Sequence, residues 1–277
     1  MSGNTAIPAA GLPRAHAASA SAGYPSRSGE APPAWVVSWD GGQPYEPMWD
    51  LQRRLWALRH GGRIPDCLLL LEHEPVVTLG RNARKENLLL PAGVFRERGV
   101  TVVEVDRGGD VTYHGPGQLV GYWIFDLREL WQDAHRYLRS IEEVLIVTLG
   151  AFGLESGRDP KATGVWIGGE KVAALGLHLS HWVSTHGFAL NINTDLSPFG
   201  WIVPCGLAGR GVTSMARLLG REVPRKDVEG ALVPAMEGVF GRRAASLTPA
   251  ELCDVVMALE SKSAQESAEP GRLACPA

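Results

Sequence analysis

Cys205 stands in Trp201-Ile202-Val203-Pro204-Cys205-Gly206-Leu207, where a proline fixes the approach of the chain and a glycine frees it just after the thiol. Such a turn can present a side chain, and a presented thiol becomes a nucleophile once it is a thiolate. Thiolate formation needs a base or a cation, and the candidates nearby in sequence are Lys171, His178, His181 and His186. Taken alone, a cysteine is more often a small buried hydrophobe, so the case for Cys205 rests on its company. Lys171 opens an apolar run directly after a glycine turn. Burial there would disfavour the ammonium and let the amine take and return a proton near neutrality, whereas a lysine left at a hairpin tip is only solvated charge. His178 and His181 fall on a mixed strand suited to solvent or a half-buried position, and His186, before Gly187, fits either role. Cys67, inside a leucine run, and Cys253, inside a helix, are both expected in the core, and Cys275 falls in a tail.

A second chemical segment is Arg107-Gly108-Gly109-Asp110-Val111-Thr112-Tyr113-His114-Gly115-Pro116-Gly117-Gln118, wedged between two strand-like runs. Its four glycines bring backbone close to something, and Arg, Thr, Tyr, His and Gln beside them are costly to gather unless a ligand or a polar network uses them. A tight loop joining two strands is the plainer reading. No Gly-Lys-Ser/Thr follows and no GxGxxG is present, so phosphate cradling is unsupported.

These residues need elements to hold them. Trp35-Val36-Val37 starts a strand, and Met48, Leu51, Leu55 and Leu58 recur at helical spacing before Gly61-Gly62 ends the helix. Cys67 to Leu71, Val76 to Leu79, Val100 to Val105 and Leu119 to Leu127 read as buried strands. Residues 134 to 150 place Leu138, Ile141, Val144, Leu145, Thr148 and Leu149 on one helical stripe. Gly164 to Ile167 and Lys171 to Leu175 flank Gly168-Gly169-Glu170 as a hairpin, and a further strand runs from Phe188 to Asn193. Thr248-Pro249-Ala250-Glu251 combines an N-cap, a first-turn proline and a capping-box glutamate. Strands and helices mixed with hairpins give an α+β fold with a mixed, largely antiparallel sheet.

The chain has 277 residues, 45% of them hydrophobic, enough for one sizeable core. Residues 1 to 33 and 261 to 277 are rich in Ala, Ser, Gly, Pro, Gln and Glu and cannot bury enough surface to offset ordering, so both are expected as disordered tails around a catalytic domain over 34 to 260. No apolar run approaches the roughly eighteen residues that span a bilayer, and no secretory signal opens the chain, which predicts a cytoplasmic protein with no membrane contact. The four cysteines lie far apart without zinc-site spacing, so neither a disulfide scaffold nor a metal is expected. A net charge of -3 argues against nucleic acid.

Taken together, the segments resemble the lipoyl(octanoyl) transferases of lipoate biosynthesis. Arg107 to Gln118 is similar to the family's RGGxxTYHGPGQ signature, Gly169 to Gly176 to its lysine-bearing strand, and His186 to Gly206 to its HGxALNxNxDLxxFxxIxPCG block. The resemblance covers most of residues 35 to 245. It implies a fold like that of the biotin and lipoate protein ligases, with a mixed sheet flanked by helices. It also implies an acyl thioester on Cys205, with Lys171 as its acid/base partner. By the same resemblance Arg107, Gly108, Gly109, Asp110, Val111, Thr112, Tyr113 and His114, with Ala174, Leu175, Gly176, Gly187, Phe188 and Ala189, line the acyl pocket. Ala174 stands where a serine is often found, which removes a hydroxyl from that expectation. The implied donor is octanoyl-acyl carrier protein. The implied acceptors are lipoyl domains of 2-oxoacid dehydrogenase complexes and the glycine cleavage H protein. Thioester to amide runs downhill, so no cofactor is expected. Two alternatives remain at this point: an ATP-dependent lipoate protein ligase, and a non-catalytic acyl-binding protein.

Overall fold

Leu68 and Leu70 face one hydrophobic cluster while Cys67, Leu69 and Leu71 face another, which is why this run carries no polar residue at alternate positions. It forms a central strand covered on both faces. The computed structural model describes residues 31–203 and 210–268. Cys205 and Cys275 lie outside those residues, as do most of the two expected tails.

The strands are β1 (Pro33–Gln43), β2 (Asp66–His73), β3 (Val76–Leu79), β4 (Thr101–Glu104), β5 (Val111–His114), β6 (Gln118–Ile124), β7 (Gly157–Arg158), β8 (Val165–Ile167), β9 (Glu170–Ser180), β10 (Val183–Asn191) and β11 (Arg243–Leu247). The helices are α1 (Tyr45–His60), α2 (Ala92–Glu97), α3 (Ala134–Gly150), α4 (Met215–Leu219), α5 (Arg225–Phe240) and α6 (Pro249–Ala268). Eight strands form one sheet in the order β11-β1-β2-β6-β10-β9-β8-β7, and β4-β3-β5 form a second, smaller sheet. β1 runs parallel to β2 and β11, and every other pairing in the large sheet is antiparallel. The fold is α+β with a mixed, largely antiparallel sheet.

Helices α3 and α5 cover one face through Ile141, Val144, Leu145, Leu232, Met236 and Phe240, and α1 and α6 cover the other through Met48, Leu51, Leu55, Leu252 and Val256. Fully burying one such side chain stabilises by about 1.5–3 kcal/mol, so the two stripes dock these helices far more firmly than propensity could. Asp133 caps α3 by accepting the Arg136 N–H at 2.9 Å. Thr248 and Glu251 form the reciprocal capping box at the start of α6, at 2.7 Å and 3.2 Å.

Two expectations shift. α6 runs on to Ala268, past the boundary expected at 260, because no Gly or Pro interrupts residues 250 to 268. Cys253 is exposed rather than buried: the stripe that packs is Leu252, Val256 and Leu259, and Cys253 is turned off it. Among the described residues no helix is long and apolar enough to cross a membrane.

Candidate active site

Lys171 is the second residue of β9 and is 9% exposed, so the expected alternative of a solvated hairpin lysine does not apply. Its backbone N–H donates to the Gly211 carbonyl at 3.0 Å, and its carbonyl accepts from Thr213 N–H at 3.0 Å. The ammonium lies 4.8 Å from the centre of the Trp166 ring, a stabilising cation–π contact. A methyl group on Gly164, whose φ is +130°, would come within 3.1 Å of Lys171 Cε and 2.7 Å of the Ala173 carbonyl, so only glycine lets the lysine stem pass. Gly164 is held in turn by its N–H donating to Glu142 Oε1 at 3.0 Å, a carboxylate buried on α3 beside Arg139 and Arg158.

A polar chain extends from this point. Thr213 O accepts from Asn191 Nδ2 at 3.0 Å, Asn191 Oδ1 accepts from Gln118 Nε2 at 2.9 Å, and Gln118 Oε1 accepts from His114 Nδ1 at 2.7 Å. Residues from three separated segments are thereby tied to the neighbourhood of Lys171.

The glycine-rich segment roofs the site. Gly108 N–H donates to the Leu177 carbonyl of β9 at 2.8 Å. A side chain on Gly176 would meet the Gly108 carbonyl at 3.0 Å, so the close approach of roof to floor depends on that glycine. Arg107 is buried and gives its guanidinium to Thr78 O at 2.7 Å, Thr78 Oγ1 at 2.8 Å and Gly108 O at 3.1 Å. Asp110 accepts Val111 N–H at 2.8 Å and Arg84 N–H at 3.3 Å and also binds Asn87 Nδ2, pinning the next loop against the roof.

Roof and floor border two neighbouring chambers that share part of their lining. The first, of about 530 Å³, is lined among others by Lys171, Asn191, Gly109, Asp110, Val111 and Phe199. The second, of about 400 Å³, is lined among others by Tyr45, His114, Tyr122, Gly176, His186 and Gly187. Arg107, Thr112, Ala174, Leu175 and Ala189 border both. Of the residues singled out in the sequence, Arg107 to Thr112, His114, Lys171, Ala174 to Gly176 and Gly187 to Ala189 come together here. Tyr113 does not line either chamber: it alternates away and packs against Phe199 in the core of the small sheet. Cys205 lies outside the described residues.

Gln118 closes the glycine-rich segment singled out from sequence, whereas Tyr45, Val120, Tyr122 and Asn191 were not singled out. Val120 and Tyr122 share one face of β6 by alternation, a signal that marks them as neighbours but not as a pocket wall. Nothing local marks Tyr45.

The second chamber has an electrostatic signature. Burial lowers His73 to about 4 and His114 to about 3, keeping both rings neutral. His186 is also pushed down by burial, while its Nε2–H donates to Asp106 Oδ1 at 2.7 Å and holds that carboxyl at about 2. His186 has φ +58° in the middle of β10, and its backbone N–H turns to Gln52 Oε1 at 2.8 Å instead of the neighbouring strand. Backbone strain of this kind costs about 1–3 kcal/mol and is retained where it aims a side chain. Because the folded rings hold off protons that the unfolded chain accepts below about 6.5, stability is full above that pH and falls as pH drops toward 4. Asp106, depressed as well, adds a loss in the same direction at lower pH. Urea midpoints at pH 7 and pH 5 should therefore differ, with the acid value lower, and equal midpoints would contradict the buried neutral pair.

Residues 44–237 match the family model of the lipoyl protein ligase A/B catalytic domain. The octanoyltransferase of Rubrobacter xylanophilus is 52% identical over 200 residues, covering 72% of this chain and 90% of that protein. The octanoyltransferase of Caldicellulosiruptor saccharolyticus is 46% identical over 214 residues, covering 76% of this chain and 91% of that one. Among solved structures, lipoate-protein ligase A bound with ATP superposes with a TM-score of 0.63 at 16% identity, over 84% of this chain and 95% of that chain. That last likeness carries the fold alone. The buried lysine, the glycine roof and the paired chambers thus sit in a chain that belongs to the lipoyl protein ligase A/B catalytic-domain family and, within it, to the octanoyltransferases.

Proposed function

We propose that octanoyl transfer proceeds here through a thioester on Cys205, with Lys171 as proton acceptor and donor. The observation that carries this reading is the double backbone tie from Lys171 to Gly211 and Thr213, which follow Cys205 by six and eight residues. On the other side, Val203 N–H donates to Asn87 O at 2.8 Å, so both flanks of the cysteine segment are anchored at the rim of the Lys171 chamber.

Lys171 takes the Cys205 proton, and the thiolate attacks the carbonyl of an octanoyl thioester on acyl carrier protein. The carrier thiol leaves with the proton that Lys171 returns. An amine of an acceptor lysine then attacks the enzyme thioester and releases Cys205. Backbone N–H groups of the glycine roof suit the developing oxyanion. The donor is octanoyl-acyl carrier protein, and the acceptors are lipoyl domains of 2-oxoacid dehydrogenase complexes and the glycine cleavage H protein, met in the cytoplasm.

Incubating the full chain with octanoyl carrier protein should add one octanoyl group by intact mass, released by neutral hydroxylamine. Free octanoate with ATP should add none. Octanoylation of an added lipoyl domain from free octanoate and ATP, with no adduct on the chain itself, would make it an adenylate-forming ligase, and neither an adduct nor acceptor octanoylation would leave a binding protein.

Arg81, Arg84 and Lys85 are exposed beside the glycine-rich roof, and Arg81 N–H and Asn82 N–H donate to its Arg107 and Gly109 carbonyls at 3.0 Å and 3.1 Å. Carrier and lipoyl domains are acidic, so charge reversal here should raise the KM for a protein substrate, less so as salt increases. An unmoved KM at low salt would make the cluster ordinary surface.

A further inference from the structure

Trp166 carries two cations. Besides the Lys171 ammonium, the guanidinium carbon of Arg210 lies 4.8 Å from the centre of the same ring, so the two charges are no more than about 10 Å apart. Each alone has an ordinary explanation, since a buried indole is core and an arginine on a carboxylate near the surface is solvated charge. What joins them is chain position: Arg210 follows Cys205 by five residues, and Lys171 is the base proposed for that thiol.

Backbone register builds this meeting. Lys171 pairs with Trp166 of β8 on one side and with Val212 on the other, so the segment after Cys205 lies along β9 beyond the last β10 pairing at Ala173. Direct cross-strand partners share a face of the sheet, which sets the indole beside the lysine stem. The ring is 7% exposed and is fixed by its Nε1–H, which donates to the Ala162 carbonyl at 3.3 Å. The same stretch between β7 and β8 holds Asp159, whose Oδ2 accepts from Arg210 Nη1 at 2.6 Å and whose Oδ1 accepts Lys161 N–H at 2.7 Å. One short stretch thus supplies both the aromatic face and the anion that receive Arg210. The Arg210 side chain is 39% exposed, so the carboxylate alone would hold it weakly, whereas a planar, weakly hydrated guanidinium stacks well on a ring.

We propose that Trp166 is a positioning residue for acyl transfer: its ring seats the ammonium that Lys171 becomes on taking the thiol proton, and through Arg210 it seats the segment that follows Cys205. The inference rests on the proposed roles of Cys205 and Lys171. The indole makes and breaks no bond. As the proton passes from Cys205 Sγ to Lys171 Nζ, positive charge appears on the nitrogen and meets the negative face of the ring. A neutral amine gains little from that face, so the contact favours the state after proton transfer over the state before it. Neither Trp166 nor Arg210 is among the described residues that line the chambers, so donor binding should not sense them.

Trp166→Phe and Trp166→Leu both shrink the side chain and lose the bond to Ala162, but only phenylalanine keeps an aromatic face. Loading of the full chain by octanoyl carrier protein is followed by intact mass over a range of donor concentrations. Trp166→Leu should lower the maximal loading rate about tenfold with KM unchanged, the worth of a desolvated cation–π contact, and Trp166→Phe should recover most of that loss. Arg210→Gln should lower the maximal rate severalfold in the parent and add little in Trp166→Leu, because both changes act at one ring, and Arg210→Lys, which keeps a cation, should lose less. Arg210 is partly exposed, so Arg210→Gln against Arg210→Lys carries the test if Trp166→Leu does not fold. The proposal is overturned if Trp166→Phe and Trp166→Leu load equally, if KM moves in place of the maximal rate, if the Trp166 and Arg210 effects multiply, or if Arg210→Gln loads like the parent. Parental loading by Lys171→Ala would instead remove the reading beneath it, whatever the Trp166 variants do.

Discussion

Cys205→Ala takes up no octanoyl group from carrier protein, and Lys171→Ala takes it up about 10²–10⁴-fold more slowly than the parent, the usual cost of losing a general acid/base group. The lysine variant should keep its fold. The stem of Lys171 packs past Gly164 and Trp166, but the segment after Cys205 is tied to the backbone of residue 171, which alanine retains. Lys171→Arg separates proton transfer from simple charge, because a guanidinium stays protonated and cannot accept the thiol proton although it still attracts a thiolate. Arginine is therefore expected to restore little of the loss. Intact mass against time, with far-ultraviolet circular dichroism to check folding, reads all three variants. An adduct surviving in Cys205→Ala moves the nucleophile elsewhere. Parental loading by Lys171→Ala would make His114 or His186 the next base to examine.

The second large effect lies away from the chambers. Asp66→Ala should destabilise the fold by about 3–5 kcal/mol, the usual result of leaving buried charge without its partner. Asp66 Oδ1 accepts from Arg59 Nε at 2.8 Å and from Asp126 N–H at 2.9 Å, and Oδ2 accepts from Arg242 Nε at 2.7 Å. Both guanidiniums are only 3% exposed, so water cannot take over when the carboxylate goes. Glu129 reaches Arg59 at 2.8 Å but stands 4.0 Å from Arg242, too far to replace Asp66 there. The cluster joins α1, β2, the chain after β6 and the junction of α5 with β11, so its loss loosens four elements at once. Against a typical total stability of about 5–15 kcal/mol the change is large, and urea unfolding would show it as a lower midpoint. Asp50→Ala is the reference. Its pair with Arg53 has side chains 55% and 59% exposed, and breaking it should cost about 0–1 kcal/mol. If the two variants unfold alike, the buried cluster contributes no more than surface charge.

Chemistry carried by contiguous residues was legible in the sequence. The glycine-rich run from Arg107 to Gln118 and the lysine after a glycine turn each declare themselves through residue types that are strained, reactive or expensive when adjacent, and both reach the chambers. Periodicity likewise marked α1 and α3, because a stripe that must be buried repeats every three to four residues whatever it packs against. The limit is visible at Cys253, where helical phase was legible but the side that faces a sheet was not.

The sequence by itself thus determined the α+β class and the family, since these depend on local pattern. Only the tertiary structure decided which residues meet. Asp106 and His186 are separated by 80 residues, and His73 and Tyr122 by 49. Tyr45, on a helix with no local mark of function, reaches the same wall through the packing of α1 on the sheet. Such contacts are set by strand order and register, and they bring buried tyrosines and histidines from distant segments to one chamber. No residue type or spacing encodes those meetings.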